Sequence, residues 1–140
     1  MPSGNVLGVE FYPKLTSFSE ANINRDDPHL LTSGAVSLVT ANAHAPEILG
    51  QGPFDAIHVG AASPDFPLDL VDALAPGGTL VVPVDTHAVI RQQEIPGFES
   101  LRRGGYYTGG QILIVVRKDD SGRPQGEALL GVSYVPLVPL

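Results

Sequence analysis

Residues 55–64 read DAIHVGAASP, a mostly apolar run that ends in glycine and two alanines. This pattern predicts a β-strand over 55–60 and a loop of small residues over 60–64. A helix is predicted over 67–74, and a second strand over 79–84 follows a proline and two glycines. Strand, helix and strand in this order form the unit from which parallel sheets are built.

The residues before this unit continue the same alternation. VLGVE at 6–10 and VSLVT at 36–40 predict two strands, and the first is typical of a strand buried on both faces. Apolar spacing predicts a helix over 13–25, with a short helix or turn over 46–49. The sequence therefore predicts one α/β domain with a mainly parallel sheet.

The last third of the chain follows a different pattern. Strands are predicted over 111–118 and 129–135, joined after a turn at 119–122, and we expect them to form an antiparallel pair. Residues 85–110 show no regular spacing and predict a long loop or lid, which is usually functional or mobile. Tyr106 and Tyr107 within it either line a peptide groove or pack locally.

Composition excludes several classes of function. The chain has 140 residues, a formal net charge of −7 and no cysteine. An acidic chain lacks the basic surface that nucleic acids or anionic membranes require, and without cysteine it has no disulfide and no thiolate site. The first residues lack the basic region and apolar stretch of a signal peptide, so we expect a cytoplasmic protein.

The histidines do not predict a metal centre. Their spacing is not that of a metal-binding pair, and no acid cluster joins them. We expect no metal and interpret His58 as a packed side chain with a satisfied hydrogen bond. Ser63 lies outside a nucleophile-elbow pattern, so the residues indicate no catalytic group.

Four residues at predicted strand ends are candidates for ligand binding. Glu10 can accept hydrogen bonds from a ribose diol, or it is a solvated carboxylate. Asn42 can meet an adenine edge, although an ordinary turn asparagine is the simpler interpretation. Gly60 and Ala61 leave room for a ligand close to the backbone, or they only permit a tight turn. A glycine-rich phosphate loop is missing, which argues against a dinucleotide oxidoreductase.

Five segments together resemble one family. In order they are GVEFYPKL, NRDDPHLLTSG, PFDAIHVGAASP, LAPGGTLVVPV and LLGVSYVPL. Over residues 5–84 and 111–137 the chain resembles protein-L-isoaspartate O-methyltransferase. DAIHVGAA and GVSYVPL are the segments most specific to that family, whereas LAPGGTLVVPV is more generic.

The resemblance implies a Rossmann-like class I methyltransferase sheet, mostly parallel with a C-terminal antiparallel strand. It implies S-adenosylmethionine as cofactor and methyl esterification of L-isoaspartyl residues in damaged proteins, which is protein repair. Glu10 would hold the ribose, and Asn42 stands where the family has an aspartate that reads the adenine amino group. Gly60 and Ala61 would lie beside the methionine and substrate end.

The chain also departs from the family pattern. In the family, an N-terminal region, a substrate-recognition segment and the first strand with its glycine loop precede the point that matches Val6. We therefore expect an incomplete sheet, weakened cofactor binding and impaired activity, unless the two halves close up or a partner fills the gap. The alternative is a non-catalytic, methyltransferase-like remnant that acts as an interaction protein and self-associates through unpaired sheet edges. Residues 85–110 are expected to be an insertion.

Overall fold

The structure is a computed structural model that describes residues 3–104 and 109–137. The chain divides after Ile48 into two compact units. We describe each unit by itself. Within the described ranges, no helix is long and apolar enough to cross a membrane.

The first unit is built on a two-stranded parallel sheet. Strand β1 (Val6–Glu10) pairs in register with β2 (Val36–Thr40), so that Glu10 lies opposite Thr40. The glycine at position 8 permits close packing, because a Cβ there would lie 2.7 Å from Leu38 Cδ2. Both predicted strands are confirmed.

Two helices connect these strands. Helix α1 (Pro13–Asp26) begins with the proline whose fixed φ suits a first turn, and it ends just before Asp27-Pro28. A single turn, α2 (His29–Thr32), follows. The predicted helix at 13–25 is confirmed, and so is the short helix α3 (Pro46–Leu49).

Burial in the first unit differs from the expectation. Val6 is 59% exposed and no β1 residue is buried, although the apolar run predicted burial on both faces. Helix α1 also buries none of its residues, and Phe18 is 64% exposed. Among the described residues β1 has one hydrogen-bonded neighbour, β2, so the apolar pattern is not matched by a second strand.

The second unit is a four-stranded mixed sheet in the order β3–β4–β5–β6. Its elements are β3 (Phe54–His58), α4 (Leu68–Asp72), β4 (Leu74–Asp85), α5 (Thr86–Arg91), α6 (Glu99–Gly104), β5 (Gln111–Lys118) and β6 (Pro124–Val132). Strands β3 and β4 are parallel, β5 runs antiparallel to β4, and β6 runs antiparallel to β5. The predicted α/β class with an antiparallel C-terminal pair is therefore confirmed.

Two strands begin earlier than predicted. β4 starts at Leu74 because Gly77 and Gly78 form an irregularity within the strand instead of a break. Gly77 has φ +78°, and a Cβ on Gly78 would lie 2.8 Å from the Ala75 carbonyl oxygen. β6 starts at Pro124 because its polar first residues pair with β5, although they carry no apolar signal.

The core lies on one face of the central strands. Alternate residues of β4 and β5 are at most 1% exposed, namely Leu80, Val82, Val84, Ile112, Ile114 and Val116. Alternation places them on the same side of the sheet. Apolar residues of the segment between these strands join the same cluster, namely Val89, Ile95, Phe98 and Leu101.

That segment differs from the predicted lid. Residues 85–104 contain α5 and α6, and Phe98 between them is fully buried. The buried apolar residues of this segment are separated by turn residues, so its sequence shows neither the helical nor the strand spacing of apolar residues. Whether the segment is an insertion relative to the family stays a prediction. Tyr106 and Tyr107 lie outside the described residues.

Candidate functional site

Glu10 lies at the carboxyl end of β1. Its Oε1 accepts a hydrogen bond of 3.1 Å from the Tyr12 backbone N–H, and its own carbonyl accepts from Ala41 N at 2.9 Å. The side chain is half-buried. An ionised carboxylate offers about four lone-pair positions on its two oxygens, so the Tyr12 contact leaves accepting capacity.

Asn42 follows the carboxyl end of β2, the neighbour of β1. Its Oδ1 accepts from the His44 backbone N–H at 2.9 Å, and its carbonyl accepts from Ala45 N at 3.0 Å. This is the geometry of an ordinary Asx turn. The turn interpretation thus has direct support, and one of the two acceptor positions of the amide oxygen is occupied.

Gly60 and Ala61 follow the carboxyl end of β3 in the second unit. Gly60 is exposed and Ala61 half-buried, while the next two residues are buried. Ser63 N donates to Pro83 O at 2.8 Å and Asp85 N donates to Ser63 O at 2.9 Å. The loop therefore continues alongside the carboxyl end of β4.

The chain itself does not require a glycine at position 60. Its φ lies outside the left-handed region, and the nearest atom to a Cβ built there is His58 Cε1 at 3.9 Å, an ordinary contact. Neither backbone conformation nor crowding explains the missing side chain. Open backbone at a strand end is the arrangement that the ligand interpretation expects.

His58 and Ser63 differ in how far they are buried. His58 is exposed, so the expectation of a packed histidine is wrong. It lies near the end of β3, and β3 is an edge strand of its sheet with few buried residues. Ser63 is 4% exposed and donates from its hydroxyl to Asp65 O at 2.6 Å, which makes it part of the loop's internal structure.

Sequence reasoning missed the residues that support this loop. Ala62 N donates to Val135 O, and Leu137 N donates to Ala62 O, both at 2.8 Å. The terminal GVSYVPL segment resembles the family, but nothing in its sequence indicates contact with residue 62. Gln111, at the start of β5, holds Tyr134 through its side chain and gave no sequence signal.

Among the described residues, two carboxyl groups have lowered pKa values: Asp119, in the turn after β5, and Glu99, the first residue of α6. Backbone N–H of Arg123, then the Ser121 hydroxyl, hold the pKa of Asp119 below its ordinary value. The pKa of Glu99 is lowered by its own backbone N–H and that of Gly97. These contacts stabilise the turn after β5 and the start of α6. Within residues 3–104 and 109–137, no three metal-ligating side chains cluster.

The described strands and helices form an α/β fold of the methyltransferase type, as comparison with a solved structure shows. The chain is similar to a solved structure described as a protein-L-isoaspartate O-methyltransferase from Plasmodium falciparum, in complex with S-adenosyl-L-homocysteine. It is 30% identical with a TM-score of 0.71, over 96% of this chain and 52% of that one.

Sequence comparison gives the same result. The family model for protein-L-isoaspartate (D-aspartate) O-methyltransferase matches residues 1–108. The chain therefore belongs to this family. Protein-L-isoaspartate O-methyltransferase 1 of Arabidopsis thaliana is 39% identical over 96% of the chain and 49% of its own length. The Triticum aestivum relative is 37% identical over 62% of the chain and 38% of its own length. The chain thus spans about half, or less, of these relatives.

Proposed function

We propose that this chain contributes to methyl transfer from S-adenosylmethionine to the carboxylate of L-isoaspartyl residues in damaged proteins, with impaired activity on its own. The observation that supports this proposal is the similarity to the Plasmodium falciparum structure over 96% of the chain. Isoaspartyl-containing proteins or peptides are the proposed substrates. A cytoplasmic location is part of the same proposal.

The cofactor contacts are proposed residue by residue. Glu10 retains acceptor capacity for ribose hydroxyls beside its Tyr12 contact. Asn42 Oδ1 already accepts from the His44 N–H, so it keeps one acceptor position and its NH2 donors for the adenine, without the negative charge of the family's aspartate, which supports weak binding. Gly60 and Ala61 offer open backbone to the methionine end.

The methyl-transfer reaction needs little chemical assistance from side chains. S-adenosylmethionine, when bound, supplies an activated methyl group on a sulfonium. The attacking carboxylate is already ionised at neutral pH, since ordinary carboxyl pKa values lie near about 4. The chain's own part is therefore to align the groups and to exclude water. This accounts for a site without a catalytic triad.

Cofactor binding is the first test. Calorimetric titration should show no micromolar affinity, and micromolar affinity would contradict the proposed impairment. Backbone NMR of the isotope-labelled chain with millimolar S-adenosylmethionine should shift the amides of Glu10, Asn42, Gly60 and Ala61. An unchanged spectrum would overturn these assignments.

A pair of matched variants tests the ribose contact. Glu10→Gln keeps the shape and removes the charge, and should weaken binding about tenfold or more because charged hydrogen bonds are strong. Glu20→Gln removes the same charge from the exposed surface of α1 and should have no effect. Equal effects would mean that net charge, and not a ribose contact, governs binding.

Methyl transfer itself distinguishes the substrate class. Slow transfer to an isoaspartyl peptide, and none to the aspartyl peptide of the same sequence, supports the proposal. Cofactor binding without any transfer would favour the alternative below.

The alternative is an interaction protein that pairs with a second copy of itself through unpaired sheet edges. The exposed apolar side chain of Val6 in the first unit favours it. Light scattering after size exclusion should then give a dimer that Val6→Asp, in strand β1, disrupts. Phe18→Asp, at a residue 64% exposed on helix α1 of the same unit, is the control. A monomer at micromolar concentration would refute self-association.

A further inference from the structure

A side-chain amide extends the pairing of β5 with β6 by one position. The ladder ends where Gln111 lies opposite Val132. Beyond it, Gln111 Nε2 donates to the Tyr134 carbonyl at 3.2 Å, and Tyr134 N donates to Gln111 Oε1 at 2.7 Å. The planar amide thus uses its donor and its acceptor on one residue, as the peptide group of a neighbouring strand would.

The segment held in this way is bonded in turn to the candidate loop. Val135 O accepts from Ala62 N and Leu137 N donates to Ala62 O, which makes a parallel bridge between Ala62 and Pro136. On its other side the loop is fixed to β4 through Ser63. Residues 62–63 therefore lie between β4 and the segment 134–137.

We propose that Gln111 is a positioning residue that fixes the Gly60–Ala62 loop through the segment 134–137. Gln111 does not contact the loop itself. Its link to methyl transfer rests on the proposed function, because Gly60 and Ala61 are assigned there to the cofactor. The fixed geometry of the loop does not depend on that assignment.

Only an amide of this length satisfies both contacts. A carboxylate of the same shape would accept from the Tyr134 N–H but face the Tyr134 carbonyl oxygen, with which it forms no bond. A leucine would lose both bonds. Gln111→Glu and Gln111→Leu therefore remove one and both contacts, and the half-buried position tolerates either side chain.

The chain contains a matched control. Gln92 makes the same two-bond clamp on Ile95, with Nε2 to Ile95 O and Ile95 N to Oε1 both at 3.0 Å. It is also half-buried and belongs to the same unit, but it does not hold the segment 134–137. Gln92→Glu and Gln92→Leu thus apply the same two chemical changes elsewhere.

Amide hydrogen exchange tests the positioning role without any cofactor. In Gln111→Leu the amides of Ala62 and Leu137 should exchange about tenfold faster, as expected for two lost hydrogen bonds. The Ile114 amide in the centre of β5 should not change. Three results would each overturn the proposal: unchanged rates at Ala62 and Leu137, a rise there equal to the rise at Ile114, or the same rise in the matched variant Gln92→Leu.

A second readout separates this proposal from the proposed function. With millimolar S-adenosylmethionine, Gln111→Glu should halve or abolish the shift at Gly60 and retain the shift at Glu10. Retention of both shifts would contradict a positioning role toward the cofactor. If the unaltered chain shows neither shift, the proposed function fails, while the exchange rates still decide whether Gln111 positions the loop.

Discussion

Gly126 and Phe98 form a contact whose energy is testable by a double-mutant cycle. A Cβ on Gly126 would lie 2.2 Å from two carbons of the Phe98 ring, more than 1 Å inside normal contact. The ring is fully buried and packs edge to face on Phe66, with centroids 5.8 Å apart. The ring therefore has little freedom to move away.

The magnitudes follow from this geometry. Gly126→Ala should lower the free energy of unfolding by about 1–3 kcal/mol, the usual cost of overpacking. Phe98→Ala should lower it by about 3–5 kcal/mol, because it leaves a cavity. In the double variant the overlap is gone and the new methyl fills part of the cavity. We expect the double variant to be no less stable than Phe98→Ala, with a coupling of about 1–3 kcal/mol.

Urea unfolding followed by far-UV circular dichroism measures each free energy. Gly131→Ala, in the same strand, is the control, since its Cβ would meet nothing closer than the Gln111 carbonyl oxygen at 4.0 Å. It should be neutral or slightly stabilising. Additive losses in the double variant would refute the contact, and with it the conclusion that residues 95–98 are anchored in the core.

Three further predictions concern turns, sheet and core. Because hydrogen bonds lower the folded-state pKa of Asp119, its contribution to stability is present above about pH 4 and is lost as the pH falls further. In Asp119→Asn the unfolding free energy, measured by urea titration at several pH values, should therefore fall less steeply below that pH. Gly78→Ala would bring a methyl within 2.8 Å of a backbone oxygen and should lower the thermal midpoint, at a cost of about 1–3 kcal/mol. Ile114→Val should lower the unfolding free energy by about 0.5–1.5 kcal/mol in urea, since Ile114 is fully buried. A variant of Ile114 or Gly78 as stable as the original chain would contradict the described packing.

Local signals were sufficient for the elements whose ends carry chemical markers. Pro13 and Asp27-Pro28 predict both ends of α1, and the apolar run at 36–40 predicts β2. The start of β6 was not predictable in this way, because residues 124–128 form a strand only through pairing with β5. Gly77 and Gly78 predict a break before the strand, but β4 continues through them.

The candidate site was predictable only in part. Strand ends predict where Glu10, Asn42, Gly60 and Ala61 lie along the chain, because each follows an apolar run. Their roles as ligand contacts stay predictions. The contact between Gln111 and Tyr134 joins residues 23 positions apart and depends on the β5–β6 register, which no local pattern encodes.

The unequal burial of the two units has a consequence for how the chain loses its structure. Residues 3–47 contain no buried side chain, whereas the fully buried residues lie between Leu80 and Val116. Chain entropy in the first unit is therefore opposed mainly by backbone hydrogen bonds, which contribute little net free energy. On warming, the ladder of β1 and β2 should fray at temperatures at which the second unit still protects its amides.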